Sequence, residues 1–198
     1  MKKIKIALLT LSIFAVFCKV NAQQEEKKWT FGFGVNMVGV TTLGPTEIGD
    51  FLGDYFGGTN LNTLPAISNV SVTRSLNKGF GLELNAAINK IDNTPVEVEG
   101  LSFFAVDLGA TYDLNNLKFI GETGWFDPYL RLGTGMTWLE GDEAFTVHGG
   151  FGFNTWFNDT VGLNFSSAYK NSPLSGNDFT STDTDGYFHH AIGLKFRL

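Results

Sequence analysis

Large apolar side chains alternate with small or polar ones along most of this chain. Trp29, Phe31, Phe33, Val35 and Met37 fall on one side of a period-two repeat; Thr30, Gly32, Gly34 and Asn36 fall on the other. A repeat of two is the period of a strand, not of a helix. The pattern returns over residues 66–76, where Val70 and Val72 carry it, and over 80–90, 101–112, 129–139, 145–154, 161–170 and 187–198. In 80–90, Phe80, Leu82, Leu84, Ala86 and Ile88 oppose Gly81, Glu83, Asn85, Ala87 and Asn89. In 187–198, Phe188, Ile192, Leu194, Phe196 and Leu198 oppose His189, Ala191, Gly193, Lys195 and Arg197. Eight strands are predicted.

A soluble sandwich also alternates, with its apolar face inward. Two features favour a barrel turned inside out. The polar face is rich in Gly, which suits the crowded interior of a narrow barrel and would be wasted on a solvent face. The connections also form two sets. Residues 41–65, 91–100, 140–144 and 171–186 include the long, acidic segments; 77–78, 113–124 and 157–160 include two tight polar turns. Outer-membrane barrels have long outside loops and short periplasmic turns. Segment 113–124 is long for a turn and 140–144 short for an outside loop. Aromatics mark two levels, with Trp29, Phe80, Tyr112, Trp125 and Phe126 at the periplasmic side and Trp138, Phe145, Tyr169 and Phe188 at the outer side. The predicted fold is therefore all-β, an eight-stranded antiparallel transmembrane β-barrel in the outer membrane of a Gram-negative cell.

Composition agrees. With 24 Gly, 19 Phe and 17% charged residues, the chain is neither disordered nor a coiled coil. A net charge of −6 speaks against nucleic acid as a partner. Residues 1–22 read as a signal peptide: Lys2, Lys3 and Lys5, then an apolar run from 6 to 18 too short to cross a bilayer, then Val20-Asn21-Ala22. Phe17 stands where a lipoprotein signal ending at Cys18 would need a small residue. Cleavage after Ala22 leaves 23–198 as the barrel domain, with 10 basic against 20 acidic residues and no cysteine. No disulfide can then hold the fold.

Candidate chemistry lies on the inward face. Glu83, Asp107 and Arg131 are predicted to point into the lumen at similar depth and to pair there, because an unpaired charge in a narrow barrel is costly. His148 also faces inward, and His189-His190 straddles the wall, so these adjacent histidines cannot chelate together. No metal site or cofactor is expected. Ser166, Ser167 and Ser172 lack a short His-x-Ser motif, and Asp178, Asp183 and Asp185 lack calcium-loop spacing. In the first loop, Thr46 is placed to cap a short helix carrying Ile48, Phe51, Leu52, Tyr55 and Phe56 on one stripe, ended by Gly57-Gly58. Such a stripe covers the barrel mouth or contacts a partner protein, lipid or polysaccharide.

Several motifs resemble the OmpA-like outer-membrane β-barrel family. They are the Trp29-x-Phe31-Gly32-x-Gly34-Val35 strand, Phe126-Asp127-Pro128-Tyr129, and Gly150-x-Gly152 followed by Asn154-Thr155-Trp156. The resemblance covers roughly 29–198 and implies the barrel part only, without a peptidoglycan-binding domain. Gly193, Phe196 and Leu198 are similar to the signal that the barrel assembly machinery reads on a last strand, although Leu198 stands where an aromatic is usual. The expected partners are outer-membrane lipid, the assembly machinery, and an extracellular or envelope protein through loop 41–65. The expected role is structural or surface interaction without catalysis. The alternatives are a narrow channel for ions or small solutes and, third, a lipid-modifying enzyme.

Overall fold

The computed structural model of the chain describes residues 29–39, 61–92, 100–117, 124–171 and 186–198. The predicted signal peptide, the stripe Ile48, Phe51, Leu52, Tyr55 and Phe56, and the loop residues Asp178, Asp183 and Asp185 lie outside the described residues.

The described residues form nine strands: β1 (Trp29–Gly39), β2 (Leu61–Thr63), β3 (Asn69–Ser75), β4 (Phe80–Ile91), β5 (Leu101–Asp113), β6 (Phe126–Leu139), β7 (Asp142–Trp156), β8 (Val161–Asn171) and β9 (Gly186–Arg197). Consecutive neighbours run antiparallel, and β9 returns to β1 from Thr30↔Arg197 to Gly39↔Phe188. β2 and β3 lie end to end along the same side of β1, so they are two pieces of one stave. Nine strands thus make a closed eight-stranded barrel. Closure leaves no open sheet edge, so the ladder satisfies the backbone without solvent.

The faces are inverted relative to a soluble protein. Phe31, Phe33, Val70, Leu84, Leu130 and Leu132 are exposed on the outside, Leu132 to 71%. Glu83, Asn85, Asp107, Arg131, His148, Lys170 and Lys195 are buried on the inside. This arrangement is stable only where the surrounding solvent is itself apolar, that is, in a bilayer. Small residues let the lumen hold this cargo. Gly135 leaves the space that the Asp107 carboxylate fills, and a side chain at Gly152 would collide with Tyr129.

The stave predicted over 66–76 differs from the expectation. It is broken: Gly34 pairs with Asn69 and Met37 with Thr63, so Val35 and Asn36 face the five residues 64–68. Pro65 cannot donate to a ladder, and the chain bulges there. Thr63 and its two predecessors, expected in the loop 41–65, are strand. Asparagines bridge the break. Asn36 Nδ2 donates to Ser68 O (2.7 Å) and Ile88 O (2.9 Å). Asn89 Nδ2 donates to Asn36 Oδ1 (2.5 Å) and Asn62 O (2.9 Å), and Asn62 Oδ1 accepts from Asp92 N (2.8 Å). Side chains here replace backbone partners that the bulge removes.

Other boundaries shift outward. β6 begins at Phe126 instead of 129, and Pro128 is tolerated because it sits near the strand start. β6 and β7 join through Glu140 and Gly141, both at positive φ (48° and 97°), the two-residue hairpin turn whose twist matches the strands. This explains why the connection over 140–144 is so short. Both chain ends of the barrel, the Asn77–Gly79 turn and segment 157–160 lie at one end, the turn end; the Ile91↔Leu101 pair and 140–141 lie at the other, the loop end.

Candidate functional site

The lumen is built in storeys, each fixed by strand parity and register. At the turn end Asp127 is a hub on β6. Its carboxylate accepts from Trp156 Nε1 (2.5 Å), from Asn115 Nδ2 (3.0 Å) and from Arg197 Nη2, with which it forms an ion pair. The Arg197 guanidinium also stacks 3.6 Å from the centre of the Trp156 ring. The last turn of β9 is thereby fastened to β6, to β7 and to the Leu114–Asn116 turn. Beside this hub the barrel opens into a vestibule of about 480 Å³, lined by Thr30, Thr73, Glu83, Tyr129, Lys195 and Arg197 among others.

Glu83 forms the next storey. It accepts from Thr73 Oγ1 (3.1 Å) and pairs with two cations, Lys195 Nζ at 3.3 Å and Arg131 Nη2 at 3.5 Å. Lys195 also lies 5.4 Å from the centre of the Tyr129 ring, whose hydroxyl accepts from Asn164 Nδ2 (3.0 Å). Above it, Asp107 pairs with Lys170 Nζ at 2.6 Å and accepts from Asn85 Nδ2 at 3.4 Å. His148 sits between the storeys, with Nε2 3.5 Å from Arg131 Nη2 and Nδ1 4.0 Å from Asp107 Oδ1. The loop end is closed by an apolar cluster of Val38, Ile91, Phe103, Ala105 and Tyr187. Tyr187 turns its hydroxyl to Thr137 Oγ1 (2.7 Å) and packs edge-on against Phe103.

Glu83, Asp107 and Arg131 are thus all luminal and buried, at 4%, 1% and 5% exposure. The structure does not gather them into one cluster. Arg131 pairs with Glu83, whereas the ion partner of Asp107 is Lys170. Lys170 and Lys195 were absent from the predicted set, although period two places both inward. Strands close in space but far along the chain supply them, and only the barrel's closure brings β8 and β9 to β4 and β5. The two central storeys hold two carboxylates against three cations, so the mid-lumen carries one positive charge in excess. The Asp127–Trp156–Arg197 hub was likewise missed; the inward parity of Asp127 and Arg197 is the signal that could have found it.

The remaining predicted positions are as follows. Gly193 meets β1 closely, where a side chain would strike the backbone of Phe33 and Gly34. Phe196 faces outward and stacks on Phe33 with ring centres 5.5 Å apart; Leu198 is 67% exposed. Aromatic contacts recur at both ends, Phe80 on Tyr112 at 4.9 Å and Phe104 on Trp138 at 5.2 Å. Phe188 departs from its expected place in the outer belt, being only 1% exposed. His189 is luminal and His190 is on the outward parity, where its Nδ1 lies 2.7 Å from Ser167 Oγ. The serine–histidine contact that no short motif supplied is made across β8 and β9. Both residues are buried, at 0% and 4%, so the hydrogen bond is closed within the wall.

This architecture has solved counterparts. The crystal structure of Neisserial surface protein A matches with a TM-score of 0.54 at 13% identity, over 86% of this chain and 97% of that one. The outer membrane protein OprG from Pseudomonas aeruginosa matches with a TM-score of 0.53 at 14% identity, over 86% and 95%. At such identities the likeness is one of fold: the small eight-stranded outer-membrane barrel. No family model and no curated protein matches the sequence.

Proposed function

We propose that this chain is a Gram-negative outer-membrane β-barrel of the OmpA-like kind, delivered by the signal at 1–22, whose role is envelope integrity or surface interaction. The observation that carries the reading is the occluded lumen. Two ion-pair storeys and an apolar cap follow one another along the axis, which suits a barrel that works through its outer wall and loop end and not by transport or catalysis. The turn end then faces the periplasm. The aromatic levels meet outer-membrane lipid, and Gly193, Phe196 and Leu198 offer the last strand to the assembly machinery. The first loop, 41–65, with its stripe from Ile48 to Phe56, is the proposed contact for an envelope or extracellular protein.

A narrow channel is the second reading, favoured by the vestibule, which brings a cavity of about 480 Å³ to the Glu83–Lys195 pair. Planar-bilayer recordings on the folded barrel separate the two. The sealed reading expects no steady current above the bare membrane. A reproducible single-channel conductance from the unaltered protein would give the function to the channel.

A further inference from the structure

The outer wall carries very little charge. Among the described strand residues, only Arg74, Lys90 and Glu143 are both charged and on the outward parity. Lys90 and Glu143 belong to the loop end, and Lys90 has Asp92 3.3 Å away. Of these three, Arg74 is the one at the opposite end. It is the penultimate residue of β3, opposite Trp29 on β1 and Leu82 on β4. Its guanidinium carbon lies 4.8 Å from the centre of the Trp29 ring, and no carboxylate pairs with it among the described residues. The side chains around it on the same face are apolar and exposed: Phe31 at 41%, Leu76 at 38% and Phe80 at 50%.

An aromatic face attracts a cation but offers only weak N–H···π contacts, which do not replace oxygen acceptors for the five guanidinium N–H groups. Burying them against lipid tails without acceptors is costly. The nearest acceptors available at the edge of an apolar wall are the phosphates of lipid headgroups, and the planar fork of an arginine matches two phosphate oxygens. Trp29 sets the level, since indole rings settle at the boundary of tails and headgroups. We propose that Arg74, held against Trp29, is a binding site for the phosphate of a phospholipid in the leaflet around the turn end, with a preference for anionic phosphatidylglycerol. In zwitterionic lipids the headgroup's own ammonium competes for the phosphate. Because the chain as a whole is at −6, a preference for anionic lipid would have to come from a local site and not from overall charge. The identification of that leaflet as periplasmic rests on the orientation proposed above; the lipid contact itself needs only a barrel in a bilayer.

The test is native mass spectrometry of the full folded chain in detergent, titrated with phosphatidylglycerol and, separately, with phosphatidylcholine. Each variant is first required to migrate differently before and after boiling in SDS, so that loss of the barrel is scored apart from loss of the site. R74Q is expected to weaken the first phosphatidylglycerol by about fivefold, the effect of one basic residue at a lipid surface. K90Q removes the same charge at the other rim and is expected to leave that affinity unchanged, as phosphatidylcholine binding should be in both. Should R74Q not fold, R74L is read against the same outcomes. An Arg74 variant that holds phosphatidylglycerol as tightly as the parent, or equal weakening by K90Q, would overturn the site.

Discussion

The two ion storeys of the lumen use the same chemistry and stand on different footings. Asp107 and Lys170 form a one-to-one pair at 2.6 Å, both side chains at 0% exposure, directly beneath the apolar cap. Glu83 shares two cations at longer distance, Arg131 at 3.5 Å and Lys195 at 3.3 Å, beside the vestibule. Coulomb attraction between buried charges seldom exceeds their desolvation by much, so the cost of a mutation depends on what is left unpaired. In the upper storey any single loss strands a charge in the dry part of the barrel. In the lower storey the loss of either cation leaves Glu83 with the other.

The largest effect is expected for Lys170→Met. It orphans Asp107 beneath the cap and should lower stability by about 3–5 kcal/mol, measured by urea unfolding of the lipid-reconstituted barrel. Removing Asp107 as well should return part of that loss, so Lys170→Met with Asp107→Leu is expected to be more stable than Lys170→Met alone. If the double variant were the weaker, the pair would be contributing net stability and the contrast between storeys would fail. Arg131→Met comes next, at about 1–3 kcal/mol, because Glu83 keeps Lys195 and Thr73 while His148 loses a neighbour. Lys195→Met is expected to be mildest, at about 1 kcal/mol: it leaves Glu83 paired with Arg131 and brings the central charges to two against two. Equal costs for Lys170→Met and Lys195→Met would mean that sharing a carboxylate protects nothing.

The same contrast marks how far the sequence could be read. The inward parity of Glu83, Asp107, Arg131, Lys170 and Lys195 is legible from alternation, because adjacent side chains of a strand must point to opposite faces. Which of them meet is not legible. Glu83 and Lys195 are 112 positions apart, and Asp107 and Lys170 are 63 apart. Their contact depends on strand stagger around a closed barrel, to which local pattern is blind. Deleting Glu83, Asp107 and Arg131 as a supposed set would therefore strand Lys170 and Lys195 in the lumen. The broken stave follows a similar rule. Pro65 signalled trouble in the ladder, but the bridge of Asn36, Asn62 and Asn89 draws on three separate strands.

What the sequence determined by itself is the barrel: eight alternating segments, a greasy outer face, a glycine-lined inner face and turns at the right intervals. These follow from covalent geometry and transfer of side chains between lipid and lumen, which act residue by residue. The pairing of charges into two unequal storeys, the latch of Asp127 with Arg197 and Trp156, the serine–histidine contact within the wall and the setting of Arg74 on its outer surface were decided only by the tertiary structure. The charge pairs across the lumen and the Arg197 latch depend on distances that exist only once β9 has closed on β1, whereas the serine–histidine contact and the setting of Arg74 need only the register of neighbouring strands.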